Sequence, residues 1–156
     1  MSDAFLAALR AELPGLRVLI DPLDRESYRN DETPYIAAGL PEAVLLPTTT
    51  AEVAAIVRAA AAHRVPLVPR GAGTGLSGGS NGVAGAITVS FARMDRILEI
   101  DRANLVAVVQ PGVINAELKR AAAEAGLFYA PDPASYESCS IRGNLGTNAG
   151  GLCCVK

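Results

Sequence analysis

The sequence has one histidine and three cysteines among 156 residues. The cysteines are Cys139, Cys153 and Cys154, an odd number with an adjacent pair. That pattern excludes a secreted disulfide framework. It also lacks the C-x2-4-C pairs or histidines that a zinc site needs. His63 falls near the end of an alanine-rich helical run. Three reduced, packed thiols are therefore expected.

Basic tracts are missing too. The net charge is −2 and the pI about 5.4, which argues against a nucleic-acid partner. Arg58, Arg64 and several prolines break the longest apolar stretches, so no membrane span is expected. The start, Met1-Ser2-Asp3-Ala4, has no basic n-region; no signal peptide and a cytoplasmic location are the expectation. Asp21, Asp24, Glu26, Asp31 and Glu32 read as a solvated surface rather than a catalytic pair. No nucleophile–base pair and no metal-ligand spacing stands out.

What remains is ordinary globular composition, 50% apolar and 19% charged. A single domain of this length buries roughly two-thirds of its unfolded surface. Phe5, Leu6, Leu9 and Leu13 predict an amphipathic helix from Ser2 to Leu13, stopped by Pro14-Gly15. Arg17–Ile20 and Ala43–Leu46 read as strands, with polar, irregular chain over 21–39. Thr49 followed by Glu52 is a capping-box pattern. Val53, Ile56, Val57 and Ala60 then repeat at helical spacing, ending near Arg64. Val65–Val68 is a further strand, so strand, helix and strand make a parallel, right-handed βαβ unit. Downstream, Ala86–Ser90 is a strand, and Ile97–Ile100 with Leu105–Val109 forms a hairpin. A helix is predicted from about Asn115 to Gly126, then a short strand over Leu127–Ala130. From Pro131 to Gly151 the composition reads as loop.

The densest signal is the segment Pro69-Arg70-Gly71-Ala72-Gly73-Thr74-Gly75-Leu76-Ser77-Gly78-Gly79-Ser80. Five of its twelve residues are glycine. Backbone N–H groups without side-chain cover at a strand end form a nest for an anion. Glycine allows the close approach and the positive φ such a nest needs. A phosphate or pyrophosphate group is the expected ligand, with Arg70 and Thr74 as added donors. A Walker loop is excluded, because Gly79 stands where its lysine must be. Gly73-Thr74-Gly75-Leu76-Ser77-Gly78 spells a Rossmann fingerprint, but a strand and not a helix is predicted to follow.

This loop resembles the FAD loop of the vanillyl-alcohol oxidase/p-cresol methylhydroxylase flavoproteins. More narrowly it is similar to the branch holding the FAD subunit of glycolate oxidase and the D-lactate dehydrogenases. Other segments run in family order: Leu46-Pro47-Thr48-Thr49-Thr50-Ala51-Glu52-Val53, Val109-Gln110-Pro111-Gly112-Val113, Pro131-Asp132-Pro133-Ala134-Ser135 and Gly143-Asn144-Leu145-Gly146-Thr147-Asn148-Ala149-Gly150-Gly151. The resemblance covers residues 40–156, with 1–39 as an N-terminal helix and irregular lead-in.

The resemblance implies an α+β fold of two α/β subdomains. A small parallel βαβ unit comes first, then a mixed, mostly antiparallel sheet, with FAD between them. It implies FAD contacts from Arg70, Gly71, Ala72, Gly73, Thr74, Gly75, Leu76, Pro111, Gly112, Asp132, Pro133, Ser140, Gly143, Asn148 and Gly151. Tyr35 is a weaker candidate to line the site. Some relatives attach FAD through a loop histidine; none occurs here, so FAD is expected to be non-covalent. The implied reaction is oxidation of a small D-2-hydroxy acid, with other oxidase subunits as possible partners. In the related segment a glycine pair precedes the asparagine, whereas this chain has Arg142-Gly143. The chain also ends within the segment 150–156, short of the family's substrate domain. The alternative reading is thus a non-catalytic fragment with weak or no FAD binding, inactive by itself.

Overall fold

The computed structural model describes residues 2–154. Val155 and Lys156, the end of the last family segment, lie outside the described residues, as does Met1.

Helix α1 (Ser2–Glu12) leads into strand β1 (Arg17–Leu19). A five-residue helix α2 (Pro22–Glu26) then breaks the stretch expected to be irregular. Asp21 caps it by accepting from Leu23 N, and Pro22 sits where its missing N–H costs nothing. Strand β2 (Ala43–Leu46) precedes helix α3 (Thr50–His63). The Thr49 hydroxyl accepts from Glu52 N at 3.1 Å, a cap whose loss typically costs about 1 kcal/mol. The Glu52 carboxylate returns to Thr48 N at 2.6 Å, one residue before the cap. The buried face of α3 is Ala55, Ile56 and Ala60; Val57, placed on that face by its spacing, is exposed.

Strand β3 is Leu67–Arg70, two residues later than the apolar run suggests. A loop over residues 71–86 joins it to β4 (Ile87–Ser90). These strands form one sheet in the order β1-β2-β4-β3. β2 and β3 both run parallel to β4, with Val44 and Val68 flanking Thr88. β2 and β3 are therefore parallel, as the βαβ reading requires, but β4 is inserted between them. β1 adds an antiparallel edge. Every residue of β2 and β4 is buried, as central strands covered on both faces should be. Phe5 and Leu9 of α1 join Leu45, Ile56, Ile87 and Val89 in the main core.

The second half opens with the expected hairpin, β5 (Ile97–Asp101) antiparallel to β6 (Val106–Val109). Asp101 accepts from Ala103 N and Asn104 N and fixes its turn. Helix α4 (Asn115–Glu124) packs Leu118 against Val113 and Ile141 in a second core. Gly126, at φ 73°, follows it. Residues 127–130 pair with no strand among the described residues; Tyr129 instead packs on the second core, and its carbonyl accepts from Lys119 Nζ.

The segment expected to be all loop contains helix α5 (Ile141–Thr147). Ser140 caps its start and Asn148, left-handed at φ 49°, ends it. A mixed α/β fold with a parallel unit and an antiparallel sheet is what the sequence predicted. Among the described residues no helix is long and apolar enough to cross a membrane.

Candidate functional site

Strand β3 delivers its last residue, Arg70, to the base of the glycine loop. No helix opens at Gly75; residues 71–86 run without one until β4 begins. Gly73 and Gly78 take positive φ, 84° and 71°, so the loop doubles back on itself. Among the described residues, no backbone N–H from Gly73 to Ser80 finds a protein acceptor. These donors border a cavity of about 270 Å³. The opposite wall is the segment Pro133–Ala149, with Ser140, Gly143 and Thr147 facing it.

One hydroxyl joins the two walls. Ser140 Oγ accepts from Ala72 N at 3.3 Å and from Gly143 N at 3.4 Å. A Cβ at Gly71 would collide with that oxygen, so glycine is required there. A Cβ at Gly75 or Gly79 would meet almost nothing of the protein; only Asp31 Oδ2, at 3.7 Å, lies near the first. Both glycines line the cavity. The absence of side chains here keeps room for something else.

Arg70 has a different role from the expected one. It is 6% exposed, and its guanidinium lies behind the loop rather than in the cavity. Nη1 donates to Ser80 O at 2.9 Å and Nη2 to Asn30 O at 2.8 Å. Its carbon lies 5.8 Å from the centre of the Tyr28 ring. Burial lowers its pKa from the ordinary arginine value, and Asp31 and Tyr28 oppose that shift. Arg70 clamps the two ends of the loop region together and shapes the nest from beneath.

Asp31 corrects the reading of a solvated acidic surface. It is 9% exposed and lines the cavity. Its Oδ1 accepts from Thr33 N, and its backbone N–H donates to Asn81 Oδ1 at 2.6 Å. Oδ2 has no partner. The lead-in region thus reaches into the site through a contact fifty residues distant in sequence. Tyr35, by contrast, is 91% exposed and does not line this cavity.

Of the predicted contact residues, Gly71, Ala72, Gly73, Thr74, Gly75, Pro133, Ser140 and Gly143 converge on the cavity. Leu76 points to solvent instead, because the loop turns outward there. Pro111 and Gly112 brace the floor: Pro111 O accepts from Arg142 N, and Gly112 N donates to Met94 O at 2.7 Å. Gly112 also lines a smaller hollow beside Gly71 and Ser140. Asp132, Asn148 and Gly151 lie off the cavity. Asp132 Oδ1 accepts from Cys153 N, and a Cβ at Gly151 would strike the Asp132 backbone. Asn148 is the helix terminus. Asp31, Asn144 and Thr147 line the cavity without having been singled out by the sequence, and Arg142, a departure from the related segment, lines it as well.

Behind the wall, Cys139 and Asn144 are buried together. Asn144 Nδ2 reaches Cys139 Sγ at 3.1 Å, and Asn115 Nδ2 donates to Asn144 Oδ1 at 2.9 Å. This network fixes α4 to α5. Cys139 is packed as expected, whereas Cys153 is exposed. The neighbouring Asp132 carboxylate raises the Cys153 pKa and so disfavours its thiolate.

A strand ending in an N–H-rich loop, opposite a side-chain-poor wall and with no helix opening, is the layout of a flavoprotein cofactor domain. The chain belongs to the FAD binding domain family, whose model matches residues 41–156. It is 46% identical over 125 residues to the glycolate oxidase subunit GlcD of Bacillus subtilis, covering 80% of this chain and 26% of that protein. It is 43% identical over 143 residues to the D-2-hydroxyglutarate dehydrogenase of Stutzerimonas stutzeri, covering 92% and 30%. Among solved structures, alkyldihydroxyacetonephosphate synthase superposes with a TM-score of 0.85 at 25% identity, over 96% of this chain and 30% of that one. The chain thus spans less than a third of the length of the curated relatives it matches. Its cofactor is FAD.

Proposed function

We propose that this chain is the FAD-binding portion of an oxidoreductase acting on small D-2-hydroxy acids. FAD is held non-covalently, with its diphosphate on the loop 70–79. The observation that carries this reading is the row of unpartnered N–H groups from Gly73 to Ser80 along a cavity. Such a row accommodates a diphosphate without any lysine. The hydroxyl of Thr74 adds a donor at the same wall. FAD supplies the two-electron acceptor, and the protein's contribution is to bind and orient it.

The substrate class rests on the relatives, which are described as acting on glycolate and D-2-hydroxyglutarate. One of them is described as a subunit, which supports further oxidase subunits as partners of the whole enzyme. Three free cysteines suit a reducing compartment, and the cytoplasm is the proposed location.

Titration of the 156-residue chain with FAD and with riboflavin tests the site. Flavin fluorescence should quench with FAD at concentrations where riboflavin, which has no phosphate, leaves it unchanged. Equal responses to both would remove the diphosphate from the reading. Acid precipitation of the loaded protein should leave all flavin in the supernatant, because no histidine lies in the loop. Fluorescence retained by the pellet would contradict non-covalent binding.

A further inference from the structure

Among the described residues only two charged side chains line the cavity, Asp31 and Arg142. Asp31 has a counter-charge close by, because the buried Arg70 guanidinium feels it favourably. Arg70 in turn has carbonyl acceptors for both of its terminal nitrogens. These two charges offset each other within the protein. Arg142 has no such arrangement. Among the described residues its guanidinium has neither an ion-pair partner nor a hydrogen-bond acceptor.

The side chain is nonetheless held in place. Its guanidinium carbon sits 5.3 Å from the centre of the Phe91 ring. Its backbone N–H donates to Pro111 O at 2.9 Å, which fixes the start of α5 on the floor. A Cβ at Gly146 would make only ordinary contact with Nη1, at 3.8 Å. Burial lowers the Arg142 pKa, and no carboxylate offsets it. A half-buried, unpaired cation is costly unless an anion meets it. A stacked guanidinium with free donors matches the bidentate geometry of phosphate oxygens.

We infer that Arg142 is an anion-binding residue of this cavity and pairs with the diphosphate of the bound nucleotide, opposite the N–H groups of the glycine loop. This rests on the FAD reading above and adds a side-chain contact to it. A cation on this wall favours phosphate-bearing ligands over neutral ones. Arg142 binds ligand in the way Arg70 was expected to, and Arg70 instead shapes the loop.

The test is isothermal titration of the wild-type chain, Arg142→Gln, Arg142→Gly and Arg142→Lys with ADP, FAD and riboflavin. Removing one charge-assisted contact should weaken ADP and FAD binding about 10- to 100-fold in the Gln and Gly variants. Lys should restore part of the loss, and riboflavin binding should not change. Arg142→Gly binding FAD as tightly as wild type, or more tightly, would overturn the inference; the side chain would then be a spectator or an obstruction. Wild-type FAD binding with no dependence on residue 142 overturns the inference and leaves the cofactor reading intact. Arg142-dependent binding of ADP without binding of FAD does the reverse. Failure of wild type to bind either diphosphate overturns both.

Discussion

Replacing Arg70 with methionine is expected to remove about 3 kcal/mol or more of folding stability and to abolish FAD binding with it. Two hydrogen bonds from a charged donor are lost, each typically contributing about 1.5–3 kcal/mol. Both are made in a mostly buried setting, to Ser80 O and Asn30 O. The loss leaves those carbonyls without the donor they now face. It also leaves the buried Asp31 carboxylate without the nearby cation, and among the described residues Asp31 Oδ2 has no hydrogen-bond partner to take its place. The loop 71–80 would then lack the strut that sets its shape. Lysine should rescue little, because one ammonium on a flexible stem cannot serve two carbonyls in the planar fork that guanidinium provides. Urea denaturation checks the stability term, and flavin quenching checks the binding term. A variant as stable as wild type but unable to bind FAD would show that Arg70 is a ligand contact and not a clamp.

That outcome separates two readings of the same residue, and the difference marks how far the sequence alone reaches. Glycine density, the preceding strand and the missing Walker lysine located the loop. They did not say where the Arg70 side chain goes, because that depends on Asn30 and Ser80, brought together only by the fold. Asp31 was misread for a similar reason. Its burial is set by Asn81 and by the loop wall, neither of which a run of carboxylates reveals.

Local pattern was sufficient where the element makes its own case. Helix α3 announces itself by its cap and apolar spacing, and the β5–β6 hairpin by its polar turn. Helix α5 does neither. Gly143 and Gly146 each disfavour helix by about 1 kcal/mol relative to alanine. Its helicity comes from the Ser140 cap, burial of Ile141 and the contacts of Asn144 with Asn115 and Cys139. A Ser140 cap with Asn148 as terminator was the available signal, masked by the glycines. The insertion of β4 between β2 and β3 is a pairing choice that strand order along the chain cannot express.

The glycines of the loop divide into two kinds, and the second large effect separates them. Gly75→Val is expected to weaken FAD binding by at least about 100-fold, the loss of one or two charge-assisted hydrogen bonds, while stability stays within about 0.5 kcal/mol of wild type. The residue does not require positive φ, and a Cβ there meets only Asp31 Oδ2 at 3.7 Å. The valine side chain would enter space the protein leaves open, which is the space assigned to the diphosphate. Gly73→Ala should behave differently. Gly73 holds φ 84°, where an L-residue costs about 1–2 kcal/mol. Its Cβ would also press on the Arg70 guanidinium, with Cζ only 2.7 Å away. The clamp must move, so stability and FAD binding should fall together. Thermal unfolding with and without FAD distinguishes the two cases. Gly75→Val should melt like the unliganded wild type and gain nothing from FAD, because ligand stabilisation follows RT ln(1 + [L]/Kd). Gly73→Ala should melt lower even without ligand. If Gly75→Val keeps the full FAD-induced rise in melting temperature, the diphosphate does not occupy this cavity.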